Sequence, residues 1–502
     1  MTQSHIVVVG GGLAGMAAAE LISRIAPSIK LTLLESKRIL GGRAGSYFDP
    51  ETASEVDYCQ HAAMGCCTNL IDMLQRCGLD QHFRRYQKLT FLHPDHPPSH
   101  FAPNRFLPPP LHLLGAIGAQ RYLSGRQKRE IKSGLWKLMR TTTSTLGDVR
   151  AAQWLAHAGQ RHDTVRDFWD VILVSALGEQ TDRVSMAAAR KVFIDGFANT
   201  RGASDVLVPT LPLADLFGRL LAKVLVDRNV DVRTGQSVRQ ISPDSNVVTT
   251  SEQLNADAVI AAIPWHQISR LFDQWPDAQL TKLPKFETFS KIPSSPITGL
   301  HLWFDRPITD LDHAVMVGTV SQWLFRDPCR RSSAYDSPEA TGSESARPNT
   351  SSISPPSTDA PEQHYYQVVI SGSVDATSIE KQSLVDTVLA ELRHAFPAAG
   401  DAKLLRHRVI TDPKSVFSIR PEVDAIRPAA ETGLPWLYLA GDWTNTGWPA
   451  TMEGAVISGR AAATAALQQL LATPNEKSPG IPNEICSGTR PGIVARWLIR
   501  QC

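Results

Sequence analysis

At 502 residues the chain is too long for one ordinary core, so two domains with interior room for bound molecules are expected. Hydrophobic residues at 42% and charged residues at 20% are ordinary for a globular protein, and a formal charge of +2 excludes a global pull toward nucleic acid. No run of about twenty apolar residues free of charge occurs, which excludes a bilayer-spanning helix.

In chain order, His5 to Val9 is a β-branched run, Leu13 to Ile25 carries helical spacing, and Leu31 to Glu35 is apolar again: strand, turn, helix, strand. The turn reads G-x-G-x-x-G at Gly10, Gly12 and Gly15. Gly10 permits the tight turn, Gly12 lets backbone amides approach a pyrophosphate, and Gly15 brings the helix close to the strand, with Leu13 and Ala14 between them. The pyrophosphate then sits at the positive end of the helix. Glu35 closes the second strand at the spacing where an acid accepts ribose hydroxyls; the bland alternative is a glycine-rich turn without a ligand. Gly41-Gly42-Arg43 follows after a short loop and, with a second contact region near the C-terminus, favours FAD over NAD.

The seven cysteines are odd in number and irregularly spaced, and no signal peptide precedes the first strand, so a reducing cytoplasm is the expected compartment. Cys59, Cys66, Cys67 and Cys77 lack paired C-x-x-C spacing and a His-x-His partner, and they read as small buried residues rather than a zinc site. Farther on, Phe106, Leu107, Leu111, Leu113, Leu114 and Ile117 lead into Arg121, Arg126, Lys128, Arg129, Lys132, Lys137 and Arg140, opposed only by Glu130. That pattern suits an anionic membrane face, or else a solvated helix surface. Thr164 to Leu177 and Met186 to Phe193 are helical, while Val230 to Val232, Val247 to Thr250 and Ala256 to Ile263 form a small strand cluster. Gly299 to Phe304 and Tyr365 to Gly372 alternate as sheet; residues 328–363 have almost no core formers and read as an exposed, disordered insertion. Trp436 to Ala440 is a short strand, followed by Gly441-Asp442 and a helix from Met452 through Leu471. The tail, 473–502, ends with Arg496 and Arg500 flanking Trp497.

The expected fold class is α/β: a discontinuous Rossmann-type FAD-binding domain (1–75, 205–265 and 431–472) with an inserted α+β substrate domain (76–204 and 266–430). Val9 to Gly15, Glu35, Gly41-Gly42-Arg43, Leu437 to Asp442 and Thr451-Met452-Glu453-Gly454-Ala455 resemble the flavin amine oxidase and phytoene desaturase superfamily. That resemblance implies Arg43 against the phosphates and flavin, the Val238 backbone at the adenine, Asp442 at the ribityl or phosphate region, and Met452 placing a helix N-terminus at the flavin's pyrimidine edge.

Asp57-x-x-Gln60-His61, Trp169 to Leu177, Ser204 to Pro209, Leu302 to Pro307 and Gln322 to Phe325 are similar to a narrower group, the hydroxysqualene dehydroxylases of squalene and hopanoid synthesis. One departure is Cys67, where an aromatic is expected. The implied substrate is hydroxysqualene, a long-chain isoprenoid collected from a membrane surface. Protonation of its allylic hydroxyl and loss of water leave a cation that a flavin hydride quenches. His61 is the first candidate proton donor and Asp57 the second, each with a structural role as its alternative; Arg420 and Trp265-His266 are weaker. Trp169, Trp303, Trp323, Leu324 and Phe325 are candidate lining for an apolar slot. A carotenoid desaturase, an amine oxidase and a non-catalytic flavin-binding partner of isoprenoid enzymes are the rivals. No second dinucleotide motif is present for an electron donor, so electrons come from transient NADPH or from a protein.

Overall fold

Strand β1 (His5–Val9) is buried at every position because both of its neighbours and both faces of its sheet are covered. It pairs in parallel with β2 (Lys30–Leu34). The computed structural model describes residues 3–51, 54–283, 286–327, 363–373, 379–472, 484–488 and 490–500. The expected insertion at 328–363 lies, apart from Gln363, outside the described residues. Later segments complete the sheet: β3 (Asp231–Arg233) joins β2, β4 (Ala258–Ala261) joins β1, and β5 (Leu437–Leu439) joins β4, all parallel. The order is 3-2-1-4-5, so the direction of winding reverses between β1 and β4, where a doubly wound sheet opens its ligand crevice.

Helix α1 (Leu13–Ile25) crosses from β1 to β2 and packs on α2 (Met452–Leu470). Small residues make this contact close: a Cβ on Gly459 would run into the carbonyl oxygen of Ala14. The strands expected as one cluster divide between two sheets. β3 and β4 enter the parallel sheet, whereas Asn246–Thr249 forms an antiparallel meander with Val238–Ile241 and Gln253–Asn255. Burial explains the division: β4 is buried at every position, while Asn246–Thr249 alternates and presents one face only.

The second layer is a seven-stranded mixed sheet in the order Leu404–Phe417, Ser294–Phe304, His364–Ser371, Trp323–Arg326, His313–Met316, Leu89–His93, His96–Phe101. Side chains alternate across it. Leu300, Leu302, Phe304, Leu324, Val368 and Ile370 pack with Leu384, Val388 and Leu392 of the helix Lys381–Ala395 on one face. A small sheet of Ala63–Met64, Val206–Pro209 and Phe83–Tyr86 joins residues from both sides of positions 76 and 205.

Candidate functional site

At the end of β1 the backbone turns through Gly10, whose φ of 109° and close approach to the Ala262 carbonyl leave no room for a side chain. A Cβ on Gly15 would strike the Gly10 carbonyl, so glycine there holds α1 against the turn. Gly12 is different. Its backbone is extended, and the nearest protein atom to an added Cβ would be Gly42 Cα at 3.9 Å. The protein leaves this space unfilled, at a helix N-terminus with no side-chain cap and no acid in its first turn, a cradle of the kind that can receive a phosphate group.

Glu35 is fixed beside the cradle. Its carboxylate accepts from Gly11 N at 2.7 Å and Lys37 N at 2.8 Å, and from the Ser36 hydroxyl at 3.1 Å. Arg43 donates to the Asp442 carboxylate and to Ser415 O at 2.7 Å, so it bridges N-terminal and C-terminal parts of the site. Gly441 has φ of 141° and donates its N–H to Ser458 Oγ of α2 at 2.8 Å. Met452 opens α2, whose N-cap Thr451 accepts from Gly454 N.

These groups line one cavity of about 950 Å³. Gly10, Gly12, Leu13, Ala14, Glu35, Gly42, Arg43, Val238, Gly441, Asp442, Met452 and His61 are on its wall; Gly15 and Asp57 are not. From this polar end the cavity continues under the second sheet. Ile410, Ile297, Val369, Trp323, Val315, Phe91 and Phe101 bring in one wall residue from each of its seven strands. Six inter-strand steps of about 4.8 Å make a trough roughly 29 Å across.

The expected slot aromatics separate by strand alternation. Trp323 and Phe325 line the trough, while Leu324 points to the helix-covered face. Trp169 is fully buried with its indole N–H on Gln160, and Trp303 packs on Tyr365 beneath Arg406; neither lines the cavity. His266 is on the wall, whereas Trp265 and Arg420 are behind it, the latter bonded to Ser418 and Glu179.

His61 Nδ1 lies 2.8 Å from Cys59 O and, with a carbonyl as its partner, it donates. Nε2 of the neutral ring is then the lone-pair nitrogen. Burial pulls its pKa below the usual imidazole value, the Cys59 carbonyl opposes this, and Arg43 adds to the lowering. Asp57 sits behind the wall, where Oδ1 accepts from Ser46 Oγ at 2.6 Å and Leu213 N at 2.8 Å. Burial pushes its carboxyl up to about 7 against those two bonds. Cys59, Cys66 and Cys67 are also on the wall. The Cys59 thiol is pushed up to about 12 by burial, and Cys67 is held high by the Cys66 thiol and by burial, so neither is a thiolate at neutral pH. Among the described residues no cluster of His, Cys, Asp or Glu is arranged to hold a metal.

The sequence profile of the family described as flavin containing amine oxidoreductase matches residues 13–467. The chain belongs to this family. Its cofactor is FAD, and the open cradle at Gly12, the uncapped helix end and the anchored Glu35 are the features an adenine dinucleotide needs. Relatives include the 15-cis-phytoene desaturase of Narcissus pseudonarcissus, 24% identical over 92% of this chain and 79% of the relative. The 15-cis-phytoene desaturase of Synechococcus elongatus is 21% identical over 92% and 95%. Among solved structures, an oxidoreductase from Methanosarcina mazei superposes with a TM-score of 0.64 at 15% identity, covering 91% of this chain and 98% of that one. Cyclohexylamine oxidase from Brevibacterium oxydans gives 0.61 at 15%, covering 93% and 99%, so the amine oxidase fold is shared.

Within this flavoprotein, one positioning residue escapes the sequence motifs. Arg427 is buried, and its guanidinium donates to the carbonyls of Asp442, Thr444 and Trp448, fixing the loop that carries Asp442. An isolated Ile426-Arg427-Pro428 has no spacing signal that could have marked it.

Proposed function

We propose that this flavoenzyme acts on a long-chain isoprenoid, and that its reaction is the reductive dehydroxylation of hydroxysqualene to squalene. The observation that carries the reading is the continuous trough, with its polar end at the dinucleotide cradle and its apolar length crossing all seven strands of the second sheet. The apolar stretch of this cavity beyond the dinucleotide cradle, lined by Phe91, Phe101, Ile117, Phe168, Val315, Trp323 and Phe325, suits an extended hydrocarbon better than a small amine. The narrower resemblance of Asp57-x-x-Gln60-His61 and the Trp323–Phe325 segment supplies the hydroxylated substrate.

Bound FAD supplies two-electron hydride exchange. The balance is simple: the allylic C–O bond breaks, the oxygen takes a proton and leaves as water, and the carbon takes hydride. The chain's task is to exclude water from the intervening cation, deliver that proton and hold the carbon at the flavin. The apolar wall serves the first, and His61 is the candidate for the second because it stands on the wall while Asp57 does not. The reductant that reloads the flavin is a nicotinamide cofactor or a protein donor, and the hydrocarbon is drawn from a membrane surface.

Desaturation of a carotenoid-type polyene is the second reading. The relatives named as phytoene and zeta-carotene desaturases favour it, and so does His61, whose lowered pKa suits a proton acceptor better than a donor. Anaerobic turnover of the reduced holoenzyme with hydroxysqualene in D2O separates the two. Squalene carrying one deuterium supports dehydroxylation. A more conjugated product from phytoene, with hydroxysqualene untouched, promotes desaturation.

A further inference from the structure

Three groups of exposed apolar side chains converge on the outside of the trough's far wall. Phe106 is 80% exposed, and Leu107 and Leu114 are also exposed. Their loop is held rigidly, with Asn104 Oδ1 accepting from Phe106 N and Leu107 N, and Arg201 donating to Asn104 O at 3.1 Å and Leu107 O at 2.6 Å. Trp136 stands on the exposed side of the helix Gly125–Met139. Ile493 and Trp497, 75% and 84% exposed, belong to the helix Ile493–Leu498, beyond the part of the chain that matches the family.

One segment, Ile194–Ala198, ties the three together. It contacts Leu111–Leu113 at the end of the Phe106 loop, and Ile194 and Ala198 form a cluster with Ala495, Ile499 and Met139. Arg190, just before it, donates to Arg500 O at 2.6 Å, and Arg500 N donates to Met139 O at 2.8 Å, so the terminal helix is seated by hydrogen bonds. The same segment forms trough wall through Gly196 and Phe197, the latter edge-on to Phe101 at 6.1 Å.

The surrounding charge is positive, although not all of the basic cluster faces outward. Arg126 is paired with Glu130 and Asp163, Lys128 donates to Gly118 O, and Lys137 donates to Ala158 O. Arg129, Lys132 and Arg140 share the exposed side of their helix with Trp136, and Arg121 and Arg496 flank it; none has an ion pair among the described residues. Exposed tryptophan and phenylalanine among unpaired arginine and lysine match an anionic headgroup layer, where aromatics seat at the boundary and each cation gains from the surface potential.

We propose that this face, completed by the terminal helix, docks the enzyme on an anionic bilayer beside the trough wall through which the substrate passes. The proposal rests on the isoprenoid reading for its purpose, but not for its test, because binding is measured without substrate. Full-length holoenzyme is floated with vesicles of phosphatidylcholine alone and of phosphatidylcholine mixed with phosphatidylglycerol. Wild type is expected to float with the anionic vesicles. Trp497→Ser combined with Phe106→Ser abolishes flotation, and Arg129→Gln, Lys132→Gln and Arg140→Gln together weaken it by about a hundredfold. Flavin absorbance and melting temperature unchanged in both variants show that they fold. Failure of wild type to float, or flotation of both variants like wild type, overturns the proposal. A dimer lost in the Trp497 variant without vesicles assigns the face to a second copy instead. Flotation without turnover of hydroxysqualene would sink only the substrate reading.

Discussion

Arg427, only 1% exposed, donates to the main-chain carbonyl of Asp442 at 3.1 Å, and through it reaches the loop that meets Arg43. Asp424 Oδ1 and the carbonyl oxygens of Asp442, Thr444 and Trp448 are among the acceptors that surround a single guanidinium, with Thr444 O taking two of its N–H groups, a geometry that a point-charge ammonium does not reproduce. Arg427→Met should lower stability by about 3 kcal/mol, since it strands buried carbonyls, and weaken FAD binding at least about tenfold. Arg427→Lys should recover part of the stability and little of the FAD affinity. Titration of apoprotein with FAD checks this; unchanged affinity in a destabilised Met variant would confine Arg427 to a packing role.

The glycines of the cradle make a contrast that needs no assumption about the substrate. Gly15→Val should fail to fold, because its Cβ meets the Gly10 carbonyl. Gly12→Val should fold, because the chain there is extended and nothing but Gly42 Cα lies within 4 Å, yet it should purify without flavin. Glu35→Ala should bind FAD more weakly by about 1–3 kcal/mol. A yellow, fully loaded Gly12→Val protein would move the phosphates elsewhere.

Much of this site was legible because its constraints are local. A turn that needs glycine, a helix that must approach a strand, and an acid at the next strand end are fixed spacings within some thirty residues. The strand–Gly441-Asp442–helix run was readable for the same reason. The pairing partners of Val247 to Thr250 were not, since a short apolar run carries no record of which sheet receives it. Nor was the inward turn of Arg126, which depends on Asp163 on another helix. Arg427 was hidden because its partners are carbonyls, and carbonyls have no sequence signature.

His61 yields a pH test with a definite sign. Its folded pKa is lowered by burial, so the imidazolium is scarce at neutral pH. If protonated His61 delivers the proton, kcat should rise as pH falls toward and below its lowered pKa. If neutral His61 accepts a proton, as desaturation requires, kcat should instead be lost on acidification. His61→Ala should slow either step by about a hundredfold, with FAD retained. A pH profile unchanged by His61→Ala would leave His61 as a structural residue bonded to Cys59.

Asp57 links folding to pH in the opposite sense from a paired carboxylate. Its folded pKa of about 7 lies above the unfolded value near 4, so the native state holds the proton that the unfolded state gives up. Stability from this group is therefore fully present below about pH 4 and is lost as pH rises toward 7, to a total of roughly 3–4 kcal/mol. Both of its hydrogen bonds fall on Oδ1, from the Ser46 hydroxyl and the Leu213 amide, so an asparagine whose carbonyl oxygen takes that place keeps them. Asp57→Asn should match wild type near pH 4, become progressively more stable than it up to about pH 8, and retain FAD throughout. Denaturant melts of the two proteins across that range measure the difference directly. A constant difference would mean that Asp57 ionises normally in the folded chain and has no proton to give at neutral pH; a difference that grows with pH, together with turnover lost in a folded, FAD-loaded Asp57→Asn, would restore Asp57 as the acid.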